Sequence, residues 1–174
     1  MNGQEWKSSA TCRFKPCADN GAFMGVTMHK QQQIQERRKG TQNMINKLLM
    51  ERQEMLVMFC QVAGLEPYNR TASLDNLLQT FCQILVDYTA FGHFEVFGHI
   101  SNGSERRLRV IQMAEEVYPA FVEATETAVK FNDKYDLSDH QLVFDDLADD
   151  LSELGETLAT RIELEDKLVS CMLS

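Results

Sequence analysis

From Leu74 to Tyr88 the chain sets apolar side chains at three- and four-residue steps: Leu74, Leu77, Leu78, Phe81, Leu85 and Tyr88. That spacing is the α-helical period, and it leaves one stripe that must be covered by something. Strand-like alternation is scarce elsewhere and only 3 prolines and 9 glycines interrupt the chain, so the cover has to come from other helices. The stripe runs on through FCQILVDYTAFGHFEVF, residues 81–97. There it sets Asp87 beside Tyr88, passes through Gly92 and crowds Phe91, His93, Phe94 and Phe97 together. A carboxylate and a histidine among so many rings suit a surface that grips another protein. They suit equally a buried helix with a tight packing point at Gly92.

Three further stretches share the period. Residues 29–64 predict a long first helix with the stripe Ile45, Leu48, Leu49, Leu56, Phe59, Cys60 and Ala63. MERQEM reads as its wet face, Gly64 as its C-terminal cap, and Pro67 bars continuation. The second helix spans about 74–100 with Ser73 as N-cap, and SNGS at 101–104 reads as a turn ending in an N-cap serine. The third spans about 105–132, with Leu108, Ile111, Ala114, Val117 or Tyr118, Phe121, Ala124 or Thr125, Ala128 and Phe131 inward. Pro119 predicts a kink or break in it. The last helix is expected after Tyr135, capped by Ser138 or Asp139, with Leu147, Leu151, Leu154, Leu158, Ile162, Val169 and Met172 buried. The fold class is therefore all-α: an antiparallel bundle of four main long helices in one domain, residues 29–174. Residues 1–28 are expected to be a poorly ordered extension, with Met24 and Met28 as alternative starts.

Charge bounds the function. The net charge is −9, yet residues 1–40 hold seven basic and three acidic side chains. Residues 41–174 hold ten basic and twenty-three acidic, a balance of −13. Phosphate backbones would repel that body, so direct nucleic-acid binding is not expected, while a basic protein would be attracted. Nine carboxylates lie between Asp133 and Glu156 against one basic residue, Lys134. They read as a solvated face or as a landing strip for such a partner. Five scattered cysteines fit a reducing, cytoplasmic setting. No apolar run approaches a membrane span and no signal peptide is evident.

Motifs for chemistry are missing. Ala90, Val96 and Leu137 stand three residues before His93, His99 and His140, so no Glu-x-x-His pair exists for a dimetal site. His93-Phe94-Glu95 matches the H-x-E of zinc deaminases, but no P-C-x-x-C follows it. Cys12 and Cys17 lack a second pair. No glycine-rich phosphate loop or G-x-S-x-G occurs. No cofactor, no metal and no catalysis are expected.

The 81–97 stretch closely resembles the signature helix of the Rsd/AlgQ family of bacterial regulators, roughly FCQ-x-LVDY-x-(S/A)-x-GHF. LGETLATRIELEDKLV, residues 154–169, is similar to that family's final helix, and the first helix fits in spacing from Ile34 through Gly40 and Arg52 to Gly64 and Pro67. The resemblance covers about residue 30 to the end. The sequence stops at Ser174 soon after LEDKL, so family contacts beyond that element are not expected here.

The resemblance implies an anti-sigma protein with an all-helical fold. Such a protein binds the C-terminal helix-turn-helix region of the primary sigma factor, limits its use by RNA polymerase and favours alternative sigma factors in stationary phase. It also implies partner-binding residues by motif position. Asp87 comes first, as a carboxylate for an arginine or lysine of sigma. Tyr88, His93 and Phe94 follow, then Arg52, Arg161, Glu165 and Asp166. Arg161 has the alternative of pairing internally with Asp87 or Glu165. A monomer is expected. The other reading is an acidic helical adaptor for a different regulatory or metabolic protein.

Overall fold

The stripe that opens at Leu74 becomes a helix, but one that changes type partway. A computed structural model of the chain describes residues 20–68, 72–136 and 144–174, with side chains from residue 30 onward. Its elements are α1 (Asn20–Ala63), α2 (Leu74–Ala90), a π-helical segment (Phe91–Phe97), α3 (Gly98–Ser101), α4 (Leu108–Tyr135) and α5 (Leu147–Leu173). No strand occurs among the described residues. The chain divides into two units, Met1–Arg38 and Lys39–Ser174. In the first, the described backbone is helical from Asn20 and residues 30–38 are exposed. The first nineteen residues of the expected extension lie outside the described residues.

The second unit is an antiparallel bundle, and its side-chain contacts give the order. Phe59 of α1 meets Phe81 of α2 at 6.0 Å between ring centroids, and Lys47 lies 4.4 Å over Phe91. Ascending α1 thus means descending α2. Phe81 meets Phe131 of α4, and Phe97 meets Phe121. Tyr135 of α4 donates to Asp150 of α5, while Arg109 reaches Cys171. Arg52 bonds Asp166, and a Cβ on Gly155 would lie 3.0 Å from Phe59, which closes the ring from α5 to α1. Each helix therefore has two neighbours, as its wide stripe requires.

The ends are set by local chemistry, and several differ from expectation. Gly64, at φ 69, caps α1: its amide bonds Gln61 O, and the Leu65 amide bonds Cys60 O. Ser73 sits at the N-cap of α2, but its hydroxyl makes no cap bond. Ser104 does not cap α4: the N-cap position is Arg107, which has no side-chain cap bond, and the turn leading to it is tied by Glu105. Its carboxylate accepts the amides of Arg106 and Arg107 at 2.8 and 2.7 Å, and it holds the Arg107 guanidinium. Arg107 also donates to Met172 O at 2.7 Å, tying the start of α4 to the end of α5. These bonds hold the Glu105 carboxyl down at about 2: the Arg107 hydrogen bond lowers it, burial opposes, and the two amides add to the lowering. Pro119 lies inside α4 without breaking it. The caps expected at 138–139 fall outside the described residues, and α5 starts at Leu147.

Candidate partner-binding surface and the buried network behind it

Four polar side chains lie deep in the bundle, on stripes that would otherwise be apolar. Arg161 shares its face of α5 with Leu154, Leu158, Glu165 and Leu168, because all recur at three- and four-residue steps. Its side chain is 0% exposed. Nε donates to Glu165 Oε1 at 3.0 Å, Nη1 to Thr125 Oγ1 at 2.7 Å, and Nη2 to Thr89 O at 3.2 Å. The guanidinium plane lies 3.8 Å over the Phe121 ring. Glu165 completes the set. Its Oε2 accepts from Tyr88 at 2.8 Å and from Arg52 Nε and Nη2 at 3.2 and 3.0 Å, while Arg52 Nη1 reaches Asp166 at 2.6 Å. Two guanidinium cations thus face two carboxylates, and the cluster carries no net charge.

The titrations follow from this geometry. Burial works against the Arg52 charge, but the hydrogen bond to Asp166 and the field of Glu165 outweigh it and raise the guanidinium above its usual value. Burial pushes the Tyr88 phenol well up, and the neighbouring Glu165 charge adds to the rise. Tyr88 is therefore a donor to Glu165 across the ordinary pH range.

The network determines what the π-helical segment can be. The Phe91 amide still reaches the Asp87 and Tyr88 carbonyls, four and three residues back, so the wider turns begin only after it. Thr89 O, one turn earlier, is taken by Arg161. Gly92 passes so close that a Cβ there would lie 2.6 Å from Arg161 Nη2 and 3.1 Å from Phe121. The glycine is thus a tight packing point, set against an arginine. Phe91, the large residue beside it, is accommodated half-buried under Lys47.

Outward from this core runs a line of rings. Phe121 meets Phe97 at 4.4 Å, Phe97 meets Tyr118 at 5.4 Å, Tyr118 meets His93 at 5.9 Å, and His93 meets Phe94 at 5.1 Å. Phe94, at the end, is 72% exposed. His93 is half-buried, and its Nδ1 has no hydrogen-bond partner among the described residues. The Asp87 side chain is exposed and makes no hydrogen bond or ion pair with the described residues.

The eight residues singled out by motif position therefore fall into two groups. Tyr88, Arg161, Glu165 and Arg52 lie inside the protein and bond one another. Asp87, His93, Phe94 and Asp166 reach its surface, Asp166 while paired to Arg52. Arg161 takes the internal partner Glu165 and not Asp87. Sequence reasoning missed Thr89 and the role of Thr125. Neither carries a signal in one sequence, since one acts through its carbonyl and the other sits at the margin of the α4 stripe. It also missed Arg52 and Met55 as buried residues within the expected wet face MERQEM. The missed signal was their seven-residue alignment with Ile45, Leu48 and Val62.

The chain matches the family described as "Regulator of RNA polymerase sigma(70) subunit, Rsd/AlgQ" over residues 27–173. It is similar to the protein named "Regulator of sigma D" of Yersinia enterocolitica, 30% identical over 148 residues, covering 82% of this chain and 87% of that protein. The protein of the same name in Escherichia coli O1:K1 / APEC is 30% identical over 149 residues, covering 80% and 90%. The one in Yersinia pseudotuberculosis serotype O:1b is 29% identical over 148 residues, covering 82% and 86%. No solved structure matches.

Proposed function

Because this chain belongs to the Rsd/AlgQ family of regulators of the RNA polymerase sigma(70) subunit, a regulatory and not an enzyme family, we propose that it acts as an anti-sigma factor. In this reading it binds the C-terminal helix-turn-helix region of the primary sigma factor, keeps it from RNA polymerase and favours alternative sigma factors in stationary phase. The observation that carries the reading is the family match across 27–173. The surface supports it. A helix-turn-helix is basic where it meets phosphate. Asp87 offers an unpaired carboxylate, and Phe94 an exposed ring against His93, which in turn meets Tyr118. Charge would speed encounter and select partners, while the desolvated ring would supply more of the affinity. Tyr88, Arg161, Glu165 and Arg52 serve this surface from inside by holding the backbone that presents it.

Calorimetric titration with the isolated C-terminal domain of the primary sigma factor, at two salt concentrations, tests this reading. One-to-one binding, micromolar or tighter and weakened by salt, is expected. Asp87→Ala should weaken it at least tenfold, about 1.4 kcal/mol, with the fold intact, because a cation on the partner is left unpaired. Unchanged affinity would remove Asp87 from the contact, and absence of binding by the parent protein would overturn the proposal.

A further inference from the structure

Both walls of the seam between α2 and α4 carry an apolar stripe that the core leaves outside. On α4 the period offers Val117 or Tyr118 and Ala124 or Thr125, and the structure buries Val117 and Ala124. The other stripe, Tyr118, Val122, Thr125 and Val129, recurs at four- and three-residue steps and stays half-buried or exposed. α1 divides in the same way: Ile45, Leu48, Met55 and Val62 face inward, while Leu49 and Leu56, expected in the core, are exposed. On α2, Ala90 is half-buried and Val86 exposed, one and two turns before His93 on the same face. The register sets the α2 and α4 stripes side by side. α4 descends as α2 ascends, for Phe81 meets Phe131 and His93 meets Tyr118. Between those points the Arg161 guanidinium binds both Thr89 O and Thr125 Oγ1. Val86 thus falls level with Val129, and Ala90 with Val122. Together they make an apolar strip that runs on from Phe94, and eleven residues of α4 give it a length of about 16 Å.

Charge selects what can lie along it. No lysine or arginine occurs from Leu74 to Glu105, nor from Val110 to Val129. Glu115, Glu126 and Asp133 are exposed one turn from Tyr118, Val122 and Val129, on the solvent side of the α4 stripe. Asp87 follows Val86, about 100° further out on α2. None of these four carboxylates is ion-paired with the described residues. Beyond those limits Arg107 and Arg109 are held by Glu105 and by the end of α5, which leaves Arg106 and Lys130 as the free cations nearest the two ends of α4's apolar stripe. A second copy docking along the strip would set carboxylates against carboxylates. A helix with an apolar ridge and lysine or arginine at its margins meets both the strip and its rim. A DNA-reading helix-turn-helix offers helices with such basic margins.

We propose that the α2–α4 strip, from Val86 and Val129 to Phe94, seats one basic amphipathic helix of the C-terminal region of the primary sigma factor, with α4 supplying the second wall. This rests on the anti-sigma reading above and adds Tyr118, Val122, Val129, Glu115 and Glu126 to the contact. The test titrates the full chain and three paired variants with the isolated sigma domain at one salt concentration, after circular dichroism has shown each variant folded. Glu115→Lys with Glu126→Lys should weaken binding about tenfold or more. Val86→Ser with Val129→Ser, at the end of the strip far from Phe94, should weaken it about fivefold. Asp149→Lys with Glu153→Lys changes the net charge as much as the first pair but lies on α5, and should have less than about a twofold effect. Either change of a pair serves alone if the pair does not fold. Parent protein that binds the sigma domain while both strip pairs bind equally well would overturn this inference and leave the anti-sigma reading standing. Equal weakening by the α5 pair would also overturn it, because only the overall field would then be acting. A parent protein that does not bind the domain would overturn both. Sedimentation of the parent as a dimer that Val86→Ser with Val129→Ser dissociates would assign the strip to a second copy and overturn the inference as well.

Discussion

Gly92 shows how much a single position can require. A methyl group there would fall 2.6 Å from an arginine nitrogen that already donates to Thr89 O and whose guanidinium lies on Phe121. Arg161 is wholly buried and held by Glu165, Thr125 and Thr89 O, so moving aside would break hydrogen bonds. Gly92→Ala should therefore destabilise the protein by about 1–3 kcal/mol, the usual cost of overpacking, although alanine is the better helix former. Urea unfolding of the two proteins measures it, and a stabilised variant would mean that Arg161 can move aside. Gly40, which has nothing within 4 Å of a Cβ, is the internal control: Gly40→Ala should be neutral or stabilising.

At the scale of elements, the turn before α4 is tied by the Glu105 carboxylate, which holds two amides and a guanidinium. The Glu105 carboxyl sits near 2, against an ordinary 4.5. A lowered folded-state value means stability that is present above the unfolded value and lost as pH falls through the folded one. Stability should thus decline between about pH 5 and pH 2, with Glu105 accounting for at most about 3 kcal/mol. Asp150, lowered by hydrogen bonds from Lys134 and Tyr135, acts in the same direction. Thermal unfolding of Glu105→Gln across that range isolates the first contribution: the variant should lose stability at pH 7 and show a shallower acid slope. An unchanged slope would place the acid sensitivity elsewhere. The junction was illegible in the sequence because a serine before a helical stripe reads as an N-cap, whereas the helix starts three residues later. The later start depends on Arg107 reaching the carbonyl of Met172, sixty-five residues away.

At the scale of the whole molecule, Glu165 joins three helices. Arg52 from α1 and Tyr88 from α2 meet one oxygen, and Arg161 of its own helix α5 meets the other while reaching Thr125 of α4. Removing one member leaves an uncompensated charge in a dry interior, which typically costs 3–5 kcal/mol. Glu165→Ala should lower stability by about that amount. Replacing Glu165 and Arg161 together by leucine and methionine should cost less than the sum of the single changes, because the charges leave as a pair. Denaturant unfolding of the three variants checks this, and strict additivity would mean that the two side chains do not act together.

The helical class, the four long stripes and the glycine stop at Gly64 follow from the sequence alone, while the close packing at Gly92 is one of two readings it offers. Apolar period and backbone freedom are local properties that a single chain displays. The tertiary structure alone decided which of two apolar stripes on α1 faces inward. It also decided that Arg52, Arg161, Glu165 and Tyr88 turn to one another, and that the helix after Ala90 widens into a π segment. Those outcomes depend on what stands opposite each residue. An arginine on an apolar stripe is stable inside only when another helix brings it a carboxylate, a carbonyl and a ring at the right height.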